Sequence, residues 1–176
     1  MNIWWLIAWI SSFAVATITA PLVIKLYNRL GWIDNPATQT HPKVVHTYPV
    51  PRGGGLVVGA GIVAGMLLTT ALRPELWGVM LGALILLISG TLDDRYDISP
   101  YIRYCLNFLA AGLVIVSGIG IDFVTNPLGS GVLQLDIWQY VITAYNSKVT
   151  LTFPGDLIAI IWIVWNMNAV NWAKGV

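Results

Sequence analysis

The chain has 176 residues, 57% of them hydrophobic and only 10% charged, with a formal net charge of +1. Soluble domains average about a quarter charged, so this balance excludes a disordered chain and leaves too few charges to cover a soluble enzyme. A charge so near zero gives no pull toward nucleic acid, and the one cysteine, Cys105, excludes a disulfide framework or a cysteine-based zinc site. An integral membrane protein remains, consistent with a mean hydropathy of +0.74.

Crossing a bilayer takes about 20 apolar residues in a helix. Residues 3–27, 53–72, 77–92, 101–121 and 157–172 meet or approach that length. The predicted fold is therefore all-α, a polytopic transmembrane bundle of about five spans. Met1 and Asn2 lead into apolar residues with no basic start, so the first run is expected to stay as an anchor.

Basic residues set the orientation. Lys25, Arg29, Lys43, Arg52, Arg95, Arg103 and Lys174 fall on one side of these spans, and only Arg73 and Lys148 on the other. The predicted topology has the N-terminus outside and the richer side in the cytoplasm. Trp4, Trp5, Trp32, Trp77 and Trp172 fall near span ends, where interfacial aromatics belong.

The connections differ in kind. Residues 28–52 carry Pro36, Pro42, Pro49 and Pro51, which preclude a regular helix throughout. Residues 122–154 form the long external segment. Within it, 132–136 and 149–153 alternate or are β-branched, and turn residues lie nearby in Asn126-Pro127 and Gly129-Ser130-Gly131. A short external β-hairpin from these two runs is predicted.

The polar residues gather on the cytoplasmic side. Asp93-Asp94 close the third span, and adjacent carboxylates there are costly by desolvation and repulsion. Mg²⁺ relieves both costs and also holds substrate phosphates. A solvated helix end explains the same residues, and spacing alone does not choose. Asn168 and Asn171 lie three apart, on one helical face. They fit interhelical hydrogen bonding or ligation of a metal or substrate, and the former is the commoner use. His46 precedes Pro49-Val50-Pro51-Arg52-Gly53-Gly54-Gly55, where glycines permit close approach and Arg52 suits a phosphate. No Lys-Ser/Thr follows the glycines, so this is not a Walker loop.

Taken in order, these motifs resemble those of the polyprenyl-phosphate N-acetylhexosamine-1-phosphate transferases, a membrane family (glycosyltransferase family 4). Asp34-Asn35-Pro36 resembles the family's Asp-x-Pro after the first span. His46 to Gly55 resembles its His-x-x-Pro-x-Pro-Arg-x-Gly-Gly, and Gly90-Thr91-Leu92-Asp93-Asp94 its Gly-x-x-Asp-Asp. Ser99-Pro100 with Arg103, Asn126-Pro127-Leu128-Gly129 and Asn168-Ala169-Val170-Asn171 resemble later motifs.

The resemblance implies a Mg²⁺-dependent transfer of a sugar phosphate from a UDP-sugar to polyprenyl phosphate, releasing UMP, in cell-envelope polysaccharide synthesis. It assigns Asp93 and Asp94 to the lipid phosphate and metal, and Asn168 and Asn171 to the nucleotide and metal side. Lys43, His46, Arg52 and Arg103 would supply further substrate contacts. N-acetylglucosamine is the expected sugar; the alternative is a phospho-N-acetylmuramoyl-pentapeptide transferase. The implied setting is the bacterial cytoplasmic membrane, with the bilayer as partner and room for a homodimer. From another class, a transporter-like or non-catalytic membrane protein is the competing reading.

Departures from the pattern are specific. Asn171-Trp172-Ala173-Lys174-Gly175 puts Lys174 where the family's Asn-x-x-Asp-Gly has aspartate. Asn107 stands where glutamine is common, and the Asp34-to-His46 spacing is long. The expectation is that these residues are the N-terminal half of a single transferase domain and are inactive alone.

Overall fold

The computed structural model describes residues 3–36, 47–69, 74–144 and 147–172. The elements in chain order are α1 (Ile3–Leu30), β1 (Ile33–Asp34), β2 (Val50–Pro51), α2 (Gly54–Thr69), α3 (Pro74–Tyr96) and α4 (Pro100–Val116). There follow β3 (Phe123–Thr125), β4 (Val132–Gln134), β5 (Trp138–Ala144), β6 (Ser147–Phe153) and α5 (Gly155–Trp172). Each predicted span overlaps one of these five helices. Two of them, over Leu6–Leu30 and Leu76–Tyr96, are long and apolar enough to cross a membrane, and the apolar parts of α2, α4 and α5 are shorter.

These elements form two compact units. The first contains α1, β1, β2, α2 and α3 from Leu86 onward; the second contains α3 up to Ile85, α4, β3 to β6 and α5.

Many large apolar side chains point outward, and several of the buried ones are small. Trp9 and Phe13 are 68% and 66% exposed, whereas Ala110, Ala111 and Ala159 are buried. A water-soluble core has the opposite arrangement, and helices in lipid associate through small residues instead. In the first unit the seam is Gly61 and Gly65 of α2 against Ser12 and Ala16 of α1. A Cβ on Gly61 would lie 3.0 Å from the Ser12 carbonyl oxygen, and one on Gly65 would run into the Ser12 hydroxyl. In the second unit Gly78 and Gly82 of α3 repeat the spacing, meeting Ser117 and the backbone of Leu113 and Ala110 on α4. Both seams are Gly-x-x-x-Gly. Two hydroxyls on α1 are satisfied within the helix: Ser11 Oγ donates to the Ala8 carbonyl at 2.9 Å and Thr19 Oγ1 to that of Val15 at 2.8 Å.

Helix ends depart from the predicted spans for local reasons. The apolar run carries on to residue 121, yet α4 stops at Val116. Gly118 takes φ 95, its N–H bonds the Ile115 carbonyl at 2.8 Å, and the Ile119 N–H reaches the Val114 carbonyl at 3.3 Å. This double closure is a Schellman turn, which glycine admits without strain. At the other end α3 continues past the aspartates to Tyr96, where Asp97 (φ 48) caps it by donating its N–H to the Asp93 carbonyl at 3.0 Å.

Residues 122–154 hold two hairpins among the described residues, not the one predicted, and the two predicted runs do not pair with each other. Val132–Gln134 pairs with Phe123–Thr125, and Ser147–Phe153 pairs with Trp138–Ala144. The strand at 138–144, Trp-Gln-Tyr-Val-Ile-Thr-Ala, is rich in strand formers and is the nearer partner for 149–153.

Filling the α1–α2 seam should be costly. Gly61→Leu is expected to lower stability by roughly 1–3 kcal/mol, as overpacking does, measured by thermal unfolding in detergent. Gly55→Ala, where an added Cβ meets nothing within 4 Å, should leave the midpoint in place. Equal midpoints for the two variants would refute the seam.

Candidate active site

The site in the first unit is built around a turn. Arg29 is in the last turn of α1, and Gly31 follows it at φ 70. The Trp32 N–H then returns to the Tyr27 carbonyl at 3.0 Å. This closure brings Trp32, two residues past the helix end, against the fourth-last residue of α1. Accordingly the Trp32 ring meets Tyr27 edge-on, with centroids 5.2 Å apart and planes at 89°. Trp32 is therefore half-buried against α1.

From Trp32 the chain extends through Ile33 and Asp34, which pair with Pro51 and Val50. The Arg52 N–H reaches the Trp32 carbonyl at 3.4 Å, and its guanidinium lies 3.6 Å from Asp34 Oδ1. Both side chains are about one-third exposed or less, at 32% and 26%, so this ion pair is partly shielded from water. The two-residue ladder brings residues 33–34 and 50–51 together, and α2 begins at Gly54, two residues after Arg52.

Gly53 is the point of closest approach. A Cβ there would lie 2.5 Å from Val23 Cγ1 and 2.8 Å and 2.9 Å from the Tyr27 ring. Its neighbours Gly54 and Gly55 have nothing within 4 Å of a built Cβ. Of the glycine run, only Gly53 is required by packing.

Tyr27 is thus enclosed by its own helix, Trp32 and Gly53, and is 1% exposed. Its hydroxyl is aimed at α3, where it donates to Asp94 Oδ2 at 3.3 Å. Asp93 and Asp94 are both half-buried in the last turn of α3. Adjacent helical positions diverge by about 100°, so only Asp94 faces Tyr27 directly. Asp93 carries the carbonyl that accepts the Asp97 cap, which fixes its backbone at the helix end. Thr91 donates its hydroxyl to the Leu87 carbonyl at 2.8 Å, one turn earlier.

Three of the predicted site residues, Arg103, Asn168 and Asn171, belong to the second unit. Arg103 is half-buried in the first turn of α4. Asn168 is 9% exposed, and its Nδ2 donates to the Val164 carbonyl at 2.7 Å. That bond satisfies the amide within its own helix. Asn171 is in the last turn of α5, and its side chain lies outside the described residues. Lys43, His46 and Lys174 are outside them as well.

Among the described residues no group of three His, Cys, Asp or Glu is placed to hold a metal. Asp93 and Asp94 are two hard oxygen donors, and Mg²⁺ commonly takes one or two carboxylates together with waters and substrate phosphates. The pair fits that partial role.

Tyr27 was not legible as a site residue. A tyrosine near the end of an apolar run reads as an interfacial anchor, and the available signal was Gly31, whose capping turn predicts a contact between residues 27 and 32.

Residues 76–176, which include both aspartates and both asparagines, match the family model described as glycosyl transferase family 4. The chain belongs to this family. A probable undecaprenyl-phosphate N-acetylglucosaminyl 1-phosphate transferase of Bacillus subtilis (strain 168) is 26% identical over 170 residues, covering 96% of this chain and 42% of that protein. The undecaprenyl-phosphate alpha-N-acetylglucosaminyl 1-phosphate transferase of Salmonella typhi is 28% identical, over 93% of this chain and 44% of its own length. A decaprenyl-phosphate N-acetylglucosaminephosphotransferase of Mycolicibacterium smegmatis is 27% identical over 140 residues, 70% of this chain and 34% of that protein. The family-4 chain thus spans less than half the length of these curated relatives. No solved structure matches it.

The hydrogen bond to Asp94 can be tested separately from the packing beneath it. Tyr27→Phe keeps the ring and removes the donor, and should cost roughly 1–3 kcal/mol, the range for a hydrogen bond to a charged group. Gly53→Val should cost more, because it drives a side chain into Val23 and Tyr27. Thermal unfolding of both in detergent decides: no loss in either variant would remove Tyr27 as the organiser of this end of the unit.

Proposed function

We propose that the gene product containing these residues transfers N-acetylglucosamine 1-phosphate from a UDP-sugar to polyprenyl phosphate and releases UMP. The observation that carries this reading is the carboxylate pair at the end of α3. It lies inside the family-matched segment, and Asp94 is held there by a buried tyrosine. The names of the relatives support N-acetylglucosamine as the sugar and a polyprenyl phosphate as the acceptor.

In the proposed reaction an oxygen of the lipid phosphate attacks the β-phosphorus of the UDP-sugar, and the bond to UMP breaks. The demand on the protein is positioning and charge balance, as in other phosphoryl transfers. Tyr27 fixes the orientation of Asp94. Asp93 and Asp94 would hold Mg²⁺, which when bound neutralises charge on the reacting phosphates. Arg52, already set beside Asp34, would face substrate phosphate with its remaining donors. Arg103, Lys43 and His46 would add polar or cationic contacts, and Asn168 and Asn171 would line the nucleotide side.

The same proposal sets the chain in a bacterial cytoplasmic membrane with five spans, the N-terminus outside and the aspartates at the cytoplasmic face. Support comes from the outward-facing apolar side chains and from seven of the nine basic residues falling on one side of the spans.

Membranes carrying the gene product, supplied with UDP-N-acetylglucosamine and undecaprenyl phosphate, should release UMP. The release should stop with EDTA and return with Mg²⁺. Asp93→Asn and Asp94→Asn are each expected to lower turnover by at least about 100-fold, the scale for losing one preorganised electrostatic group. Near-normal release by both variants would take the pair out of the reaction.

A further inference from the structure

The β5–β6 hairpin is longer than a connection between two helices needs to be, and its register sorts its side chains. Trp138 opposes Phe153, Tyr140 opposes Leu151, and Ile142 opposes Val149. Directly opposed residues share a face, and neighbours along a strand alternate. One face of the ribbon therefore carries those six apolar residues. The other face carries Gln139 with Thr152, Val141 with Thr150, and Thr143 with Lys148, and is polar except for Val141.

The apolar face is only partly covered. Tyr140 is 71% exposed and Trp138 66%, although the Trp138 ring stacks on Phe153 at 5.5 Å. Val149 and Leu151 are half-buried. A two-stranded ribbon is marginal in water without something against its apolar side.

The ribbon is also fixed to the helix that follows. The Thr152 N–H donates to Asp156 Oδ2 at 2.6 Å, in the first turn of α5, and the Gly155 N–H donates to the Leu135 carbonyl at 3.0 Å. Ile158, Ile161, Trp162 and Trp165 then form an open apolar surface along α5. The apolar side of β6 thus leads within a few residues into a helix whose own outer surface is apolar.

We infer that the apolar face of the β5–β6 hairpin lies in the headgroup region of the outer leaflet, as a second, non-spanning membrane contact. The occupant is lipid. Aromatic side chains with one polar end, such as Trp138 and Tyr140, favour that depth. A ribbon with one apolar and one polar face suits a boundary, just as an amphipathic helix does. Lys148 and the threonines remain in water on the opposite face. This inference rests on the proposed membrane topology, which puts the hairpin outside.

Tyr140→Cys, Thr143→Cys and Ile161→Cys, each in a Cys105→Ser background, can be labelled with a polarity-sensitive fluorophore. The gene product is then reconstituted in phosphatidylcholine vesicles containing lipids brominated at shallow or deep positions. The label at 140 should be quenched by shallow brominated lipid and several-fold less by aqueous iodide than the label at 143. The label at 161 should respond to deep brominated lipid. Equal iodide quenching at 140 and 143, with 161 still shielded, overturns the hairpin contact alone. Iodide quenching at both 140 and 161 overturns the span reading along with it. Shielding at 140 that disappears as protein is diluted with excess lipid would show a second copy on that face, and would also overturn the inference.

Discussion

One buried tyrosine organises the aspartate-bearing unit. Tyr27 is the only large side chain among the described residues that is fully enclosed, and every element of that unit's polar end is placed by reference to it. Trp32 closes over its ring, Gly53 is a glycine because its ring leaves no space for a Cβ, and Asp94 accepts from its hydroxyl. A phenol suits this position since its body tolerates complete burial while its single polar atom reaches the Asp94 carboxylate on α3. Phenylalanine could fill the volume but would leave the carboxylate without that donor.

Elsewhere the packing follows a different rule. Large apolar residues offer no advantage between helices when the surroundings are equally apolar, so close backbone approach takes over. The two Gly-x-x-x-Gly seams achieve this on α2 and on α3, one in each unit. Several polar side chains within the helices bond their own helix, as Ser11, Thr19 and Asn168 do. Among the described residues the few charged side chains fall toward helix ends or in the connections between helices.

The helices were legible because apolar length is a strong signal, and the proline-rich loop was legible because proline removes the donor that a helix needs. Their ends were less so. Residues 117–121 look like more of α4, yet a single glycine at 118 ends it, and hydropathy carries no information about that turn. The hairpins were misjudged because strand pairing is chosen by proximity along the chain as well as by composition, and 138–144 stood between the two runs that alternation had picked out. At the site, Asp93, Asp94 and Arg52 announced themselves by charge. Tyr27 did not, since its role comes from a contact with residue 94 that no local pattern encodes. The ion partner of Arg52, Asp34, was visible as a motif residue but not as its neighbour.

The sequence distances inside this arrangement have a temporal consequence. Tyr27, Trp32 and Gly53 lie close along the chain, and a short segment closes its contacts at little entropic cost. Their mutual packing needs nothing beyond the first turn of α2, so it is available as soon as that stretch has been synthesised. The bond from Tyr27 to Asp94 spans 67 residues and must wait for α3. During synthesis, therefore, the receptor for the aspartate exists before the aspartate does. The last turn of α3 meets a finished surface when it arrives.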